Sequence, residues 1–210
     1  MTPEDNFAEK LAAATPTPGG GAAAARVGLY ACSLLRMVTG ITLEKIASGK
    51  VSASAGTSDL QASADAAREL GKRFEALEIE DMAAFQAFLT ALRLPRGTDE
   101  EKEERSRARR EAAARATEAP LATLEASRDV LSLCGQLQEL SKTTALRAES
   151  DLAAAVELAN AAYRVAELNI RVNLPELVPE EGDAARKRWQ ELGSSLDTLY
   201  LELRKDLEEK

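Results

Sequence analysis

The sequence predicts an all-α protein, an antiparallel bundle of long helices, and three observations support this fold class. Ala, Leu, Glu and Arg are abundant, whereas aromatic residues make up only 4% of the chain, a composition that favours helix over sheet. Apolar residues recur at the spacing of amphipathic helices over long segments. Apart from the ambiguous residues 51–55, no segment alternates between apolar and polar residues as a strand would. We therefore expect residues 1–210 to form a single helical domain.

The first half of the chain predicts three helices. A short helix at about residues 4–14 precedes TPTPGGG, residues 15–21, in which proline and glycine disfavour helix. A long helix at about residues 21–46 follows, and it is apolar nearly all round, as expected of a central helix. A third helix at about residues 58–93 ends at Leu94-Pro95-Arg96-Gly97, because proline and glycine stop helices.

The second half predicts three more helices. Thr98 and Glu101 have the spacing of a capping box at the start of the fourth helix. Pro120 is expected to kink or restart this helix, which continues to about residue 140. A fifth helix at about residues 149–174 ends at Pro175. The last helix, at about residues 183–208, carries an apolar stripe of Trp189, Leu192, Leu196, Leu199, Leu203 and Leu207.

Charge and composition exclude several classes of function. The net charge of -8 argues against nucleic acid or an anionic membrane as a partner. Acidic residues balance the arginines of residues 99–111, which indicates a solvated helix face rather than a nucleic-acid-binding arm. Histidine is absent, which excludes Ser-His-Asp and Cys-His catalysis and His-ligated zinc. Proton transfer is left to carboxylates, Lys, Tyr or the backbone.

The cysteines and the N-terminal residues indicate a cytoplasmic protein. Cys32 and Cys134 lack metal-ligand spacing and predict reduced thiols, and no metal site is expected. Glu4 and Asp5 stand where a signal peptide would carry basic residues. Residues 22–41 are apolar, but two arginines lie inside them, and each would cost about 2.5–3.5 kcal/mol at the centre of a bilayer. We therefore predict a buried helix there, not a membrane span.

A carboxylate is predicted on an apolar face of the third helix. At roughly 100° per residue, Asp81 falls in the middle of this face, whereas Glu75, Glu78 and Glu80 project elsewhere. Desolvation there would raise its pKa toward the range useful for proton transfer. The position also fits a structural Asp that joins two helices through an Arg or a helix N-terminus. The apolar face comprises Phe74, Leu77, Phe85, Phe88, Leu89 and Leu92.

The fifth helix also carries polar residues on an apolar side. Asp151, Asn169 and Asn173 share that side with small residues, and the two asparagines are one turn apart. They are expected either to line a polar pocket or to hydrogen-bond between helices, and Ser150-Asp151 also fits a helix cap. The opposite, solvent-exposed side is predicted to carry Glu157, Asn160, Arg164, Glu167 and Arg171.

The TPTPGGG segment fits a ligand-binding turn as well as it fits a tight connection between helices. Pro18, Gly19, Gly20 and Gly21 allow the backbone to turn sharply and to approach a ligand without hindrance from a Cβ atom. The following helix would offer its first N–H groups to negative or carbonyl oxygen atoms. No Gly-Lys-Ser/Thr follows, and AEKLAAA before it predicts helix, so neither a Walker loop nor a dinucleotide fingerprint is present.

Several motifs together resemble the cyclodeaminase/methenyltetrahydrofolate cyclohydrolase family. The resemblance covers almost the whole chain in order, through TPTPGGGAAAARVG, MVTGIT, EDMAAFQAF, LRLPR, EAPL, ESDLAAA and NIRVNL. It implies an all-helical bundle that assembles as a homodimer. Members of this family are free-standing or fused to a formiminotransferase, so a formiminotransferase is an expected partner.

The resemblance implies a role in one-carbon metabolism, with a tetrahydrofolate derivative as the substrate and no cofactor or metal. In the cyclodeaminase (lyase) reaction, N10 attacks the formimino carbon on N5 and ammonia leaves. In the cyclohydrolase reaction, water attacks the methenyl carbon and the ring opens to 10-formyltetrahydrofolate. Both reactions need a positioned proton donor or acceptor. Formiminotetrahydrofolate cyclodeaminase is the first hypothesis, and methenyltetrahydrofolate cyclohydrolase is the alternative.

The family motifs also imply roles for individual residues. Asp81 matches the acid of the D-x-x-A-F segment and is assigned general acid/base catalysis. The turn at residues 18–21 is expected to hold folate oxygens. Asp151, Asn169 and Asn173 are expected to orient the pterin or to support the acid. Charge-assisted hydrogen bonds to the folate glutamate are expected from Arg93 and Arg96.

Two segments depart from the family pattern. Leu43-Glu44-Lys45-Ile46 stands where relatives often carry a Gly-Lys-Lys-Tyr-like segment, and residues 143–147 lack an Asn just before Ser150-Asp151. Two further hypotheses remain open. One is a catalytically silent folate-binding or scaffold bundle. The other is a helical oligomerisation module in which every buried polar residue is structural.

Overall fold

Six α-helices make up most of the computed structural model, which describes residues 6–52 and 56–208. No strand occurs in these described residues, so the predicted all-α fold is confirmed. The predicted helices agree with the observed ones to within a few residues, although residues 4, 5 and 53–55 lie outside the described part. The helices are α1 (Phe7–Ala12), α2 (Gly20–Ala47), α3 (Thr57–Leu92), α4 (Asp99–Thr143), α5 (Glu149–Asn173) and α6 (Pro179–Glu208), with a 3-10 turn at Leu174–Glu176 before α6.

Helices α2 to α5 form an up-down-up-down four-helix bundle. α2 packs against α3 and α5, and α4 packs against the same two helices, so the four form a closed ring. α2 and α3 are antiparallel, because Gly21 adjoins Asp81, whereas Gly28, later in α2, adjoins Phe74, which is earlier in α3. α6 packs against α4 and α5 outside the ring. The predicted antiparallel bundle is therefore confirmed.

α4 begins as predicted but does not restart at its proline. The Thr98 hydroxyl accepts from the Glu101 N–H at 3.2 Å, and the Glu101 carboxylate accepts from the Thr98 N–H at 3.1 Å, which completes the capping box. The helix then continues through Pro120 to Thr143. Of the two outcomes expected at Pro120, a kink or a restart, the restart does not occur, and a hydrogen bond from α5 compensates for the proline.

An ion pair joins α2 to α3 inside the bundle. The guanidinium of Arg26 lies 2.6 Å from the carboxylate of Glu78, which is buried. Glu78 was predicted to project away from the apolar face that carries Asp81, and it is nevertheless buried, against α2. The pairing also accounts for an arginine in so apolar a helix, since a buried charge requires a partner.

α2 is long and apolar enough to span a membrane by length and composition alone. Its buried residues instead contact α3 and α5, and Arg26 forms an ion pair within the bundle. These contacts are those of a core helix in a helical bundle. However, α2 also exposes an apolar stripe of Tyr30, Met37 and Ile41, which are 51%, 43% and 46% accessible. Met37 of this apolar stripe also lines a shallow cavity together with residues of α3.

α6 covers the side of α5 that was predicted to face solvent. Trp189 Nε1 donates to the carboxylate of Glu167 at 2.9 Å, and Arg164 lies 2.6 Å from Asp197. Glu167 is consequently buried, at 8% exposure. The assignment of Glu167 to a solvent-exposed face was therefore wrong, because a helix pattern shows which residues are polar but not which neighbour satisfies them.

Candidate active site

A cavity of about 170 Å³ lies where the start of α2 meets α3, α4 and α5. All four helices of the ring contribute to it, and the turn before α2 closes one side. Its polar side chains come from α3, from α5 and from Thr17 in the turn. The cavity is lined by Pro16, Thr17, Gly19, Gly20, Gly21, Asp81, Phe85, Ala116, Asn169, Val172 and Asn173.

The carboxylate of Asp81 lies directly against the backbone of Gly21. A Cβ atom at residue 21 would overlap this carboxylate, and even its farther oxygen would be only 2.7 Å away. Gly21 already belongs to α2 and has no unusual backbone conformation. This glycine is therefore required for close approach, as predicted for the segment, but the approaching group is a side chain of the same protein.

Asp81 also caps the first turn of α2. The helix begins after Gly19, which has no side chain to cap it. The backbone N–H of Ala22 donates to the carboxylate of Asp81 instead. The structural alternative considered for Asp81, a link to a helix N-terminus, is thus realised. The same contact holds the acid at the wall of the cavity.

Burial raises the pKa of Asp81 above its ordinary value of 3.8, and the hydrogen bond from Ala22 opposes the rise without cancelling it. The side chain is half-buried, and it lies where the apolar face of α3 passes from the core to the cavity. Phe74 and Leu77 before it are buried in the core, whereas Phe85 after it is 39% exposed at the cavity. A carboxyl group that reaches a cavity, and whose pKa is raised by burial, is a candidate for proton transfer.

The two asparagines of α5 face Asp81 across the cavity. Asn169 Nδ2 donates to the carbonyl of Val165 in its own helix at 2.9 Å. Asn173 Nδ2 donates to the carbonyl of Ala116 in α4 at 2.7 Å. Both side chains are half-buried. The structure therefore realises both interpretations of this pair, because the asparagines line a pocket and Asn173 also joins two helices.

The bond from Asn173 to Ala116 compensates for Pro120. In a regular helix the N–H of residue 120 would donate to the carbonyl of residue 116, but proline has no N–H. The amide of Asn173 supplies the missing donor, which is consistent with the unbroken course of α4. Sequence reasoning missed Ala116 as a cavity residue. The available signal was Pro120 itself, since it marks the carbonyl four residues earlier as unpartnered.

The structure does not bring every predicted residue to the cavity. Pro18 lies in the turn but is not a lining residue of the cavity, whereas Thr17 and Gly19 on either side of it are. Asp151 is in the first turn of α5, 18 residues before Asn169, which places it roughly 27 Å away along the helix axis. The expectation that it shares a pocket with the asparagines of the same chain was therefore wrong. Arg93 and Arg96 are exposed at and beyond the end of α3, with Arg93 about 18 Å along the axis from Asp81.

The segments that depart from the family pattern also lie away from the cavity. Leu43 is 22 residues beyond Gly21 in α2, roughly 33 Å along the helix axis. Residues 143–147 lie where α4 ends and α5 has not yet begun. Both segments are therefore at the opposite end of the bundle from Asp81, and neither departure alters the residues that line the cavity.

Comparison with known proteins extends these findings. Residues 3–190 match the model of the formiminotransferase-cyclodeaminase family. The chain is 34% identical over 188 residues to the methenyltetrahydrofolate cyclohydrolase of Methylorubrum extorquens, covering 90% of this chain and 86% of that protein. It is 28% identical over 174 residues to the formimidoyltransferase-cyclodeaminase of Rattus norvegicus, covering 83% of this chain but 31% of that protein.

The fold is similar to that of the formiminotetrahydrofolate cyclodeaminase of Thermotoga maritima. The TM-score is 0.78, and the superposition covers 96% of this chain and 93% of the other at 24% sequence identity. At this identity the likeness supports the fold alone. The family assignment depends on the sequence matches, and it agrees with the resemblance predicted from the motifs. The chain therefore belongs to the formiminotransferase-cyclodeaminase family of enzymes.

Proposed function

We propose that this enzyme acts on a tetrahydrofolate that carries a one-carbon unit between N5 and N10, with Asp81 as the group that accepts and returns a proton. The observation that carries the proposal is the position of Asp81. It reaches a cavity, lies against Gly21, and has a pKa raised by burial. The names of the relatives supply the substrate class. No metal or organic cofactor is needed in this scheme.

The hydrolysis of 5,10-methenyltetrahydrofolate is the first candidate reaction. It is favoured by the cyclohydrolase of Methylorubrum extorquens, which matches this chain over most of both lengths. This order reverses the one that the motifs suggested. Asp81 would take a proton from water as the bond from water oxygen to the methenyl carbon forms. It would then give that proton to N5 as the bond from carbon to N5 breaks, while the hydroxyl proton leaves to solvent and the formyl group forms on N10.

Cyclodeamination of 5-formiminotetrahydrofolate is the second candidate, and the match to the cyclodeaminase of Rattus norvegicus over 83% of this chain favours it. N10 would attack the formimino carbon, and Asp81 would carry the N10 proton to the formimino nitrogen. A further proton from solvent completes the leaving group. Ammonia then leaves as the methenyl product forms.

The absorbance of the methenyl group provides the decisive experiment. Purified protein is mixed with 5,10-methenyltetrahydrofolate or with 5-formiminotetrahydrofolate, with and without a metal chelator. Loss of the absorbance faster than in buffer supports the cyclohydrolase, whereas its appearance together with ammonia supports the cyclodeaminase. Folate binding without turnover would favour a silent binding protein. If neither binding nor turnover occurs, the proposal fails and the oligomerisation module is favoured.

We also propose that the enzyme is a cytoplasmic homodimer, with a formiminotransferase as a metabolic partner. The apolar stripe of Tyr30, Met37 and Ile41 supports the dimer, because such a helix face is typical of an interface. Light scattering should give twice the mass of the chain for the wild type and for the surface control Glu75→Lys. Met37→Glu should give a larger monomer fraction. A wild-type monomer at micromolar concentration would refute this part of the proposal.

A further inference from the structure

We propose that Asn169 and Asn173 present their side-chain oxygens as hydrogen-bond acceptors to the N–H-bearing edge of the pterin, and that Pro120 sets the orientation of Asn173. This inference rests on the proposed function, because it assumes a reduced folate as the ligand. It assigns the two asparagines to substrate recognition and leaves the proton transfer to Asp81.

The orientation of Asn173 follows from the bond to Ala116. A carbonyl oxygen can only accept, so the group of Asn173 that contacts it at 2.7 Å must be the NH₂ nitrogen. The amide oxygen then points away from that carbonyl. Because Pro120 leaves the carbonyl of Ala116 without its helix donor, the orientation is favoured over the flipped one, which would bring two oxygens together.

Asn169 is oriented by the same principle. Its nitrogen donates to the carbonyl of Val165 at 2.9 Å, so its oxygen is also directed elsewhere. Within the part of the chain described, neither side-chain oxygen accepts a hydrogen bond from the protein. Neither oxygen is among the fully buried polar atoms that lack a hydrogen-bond partner. Both residues line the cavity, so a ligand there would lie beside both amides.

The cavity thus offers acceptors on two sides. Asp81 lines the cavity from α3, and the side-chain amides of Asn169 and Asn173, one helical turn apart, line it from α5. A ligand edge with adjacent N–H groups satisfies such a pair, and the pyrimidine ring of a reduced pterin carries N–H groups of this kind. The uncharged amides bind these groups without competing with Asp81 for the reacting protons.

Steady-state kinetics on Pro120→Ala and Asn173→Ala test this inference. In Pro120→Ala the substituted residue has an N–H that can donate to the carbonyl of Ala116, and the amide of Asn173 is then no longer held. Each variant should raise KM about tenfold with kcat nearly unchanged, which corresponds to about 1.4 kcal/mol of binding. The double variant should be no worse than Asn173→Ala alone, because the two changes remove the same interaction.

Two further variants complete the experiment. Asn169→Ala, which leaves the backbone bonds of α5 intact, should also raise KM about tenfold. Asn160→Ala is the matched control, since Asn160 lies in the same helix but does not line the cavity, and it should leave KM unchanged. Wild-type KM values in Asn169→Ala or Asn173→Ala, with an active wild-type enzyme, would overturn this inference alone. A wild type that neither binds nor converts any folate would overturn the proposed function and this inference with it.

Discussion

Asp81 fills the space in which a side chain at Gly21 would lie. One contact therefore links the glycine segment before α2 to the acid in the middle of α3. It closes the cavity on one side and lets Asp81 accept from the N–H of Ala22. The absence of a side chain at residue 21 is thus as important for the position of the acid as the acid itself.

Gly21→Ala should reduce kcat/KM by about 100-fold, because displacing a catalytic group by about 1 Å can cost that much. Gly40→Ala is the matched control. Gly40 lies in the same helix away from the cavity, and its new Cβ would meet no atom within 4 Å, so its activity should stay within a few-fold of wild type. Equal activities of the two variants in the methenyl absorbance assay would refute the role assigned to this contact.

Gly28→Ala separates packing from catalysis on the same helix. Its Cβ would overlap the ring of Phe74, with Cδ1 only 2.6 Å away, and Phe74 is completely buried. Overpacking of this kind costs about 1–3 kcal/mol, only partly offset by the better helix propensity of alanine, about 1 kcal/mol. Urea denaturation should show a lower free energy of unfolding, while kcat below the unfolding transition is retained.

Asp81→Asn should abolish turnover without lowering stability at neutral pH. The raised pKa means that the folded state favours the protonated acid, so this contribution to stability is fully present below the ordinary value of 3.8 and is lost as pH rises through the raised pKa. Asparagine is neutral at every pH and can still accept from Ala22. Thermal denaturation at several pH values should find the variant at least as stable as wild type at pH 8, with the advantage shrinking in acid. A variant that is less stable at pH 8 would contradict the burial argument.

The rate of the wild-type enzyme should fall in acid with a midpoint above 3.8, since a protonated Asp81 cannot accept a proton. This acid limb of the pH profile is measured as kcat/KM against pH with methenyltetrahydrofolate, after subtraction of the buffer-catalysed reaction. Glu80→Gln, which removes the exposed acid next to Asp81 in sequence, should leave the limb in place. If the midpoint of the acid limb shifts in Glu80→Gln, Glu80 rather than Asp81 would be the titrating carboxylate.

Asn173→Ala should destabilise the protein by about 1–3 kcal/mol, because the buried carbonyl of Ala116 loses its donor. In a Pro120→Ala background the same substitution should cost little, since residue 120 then supplies the helix hydrogen bond. A double-mutant cycle measured by urea denaturation isolates this coupling. Additive effects would show that Pro120 and Asn173 do not share the carbonyl.

Glu78→Gln should cost about 1.5–3 kcal/mol, because the two hydrogen bonds from Arg26 would no longer be made to a charged carboxylate. Glu69→Gln, in the same helix, removes an exposed pair with Lys72 and should cost less than about 0.5 kcal/mol. Free energies of unfolding from urea titrations of the two variants test the difference. Similar losses would show that the Arg26–Glu78 pair is no more valuable than a surface pair.

The sequence by itself determined the features that depend on local spacing. The helices, the capping box of Thr98 and Glu101, and the position of Asp81 on an apolar face all follow from the helical period and from residues a few positions apart. The same is true of the closely spaced pair Asn169 and Asn173. The family motifs added the chemistry, but they could not show which of their residues share a cavity.

Only the tertiary structure decided which distant residues meet. Three contacts depend on the axial register of neighbouring helices. They are the contact of Gly21 with Asp81, the hydrogen bond from Asn173 to the carbonyl of Ala116, and the burial of Glu167 under α6. A helical pattern specifies the side on which a residue lies, but not its height relative to the next helix.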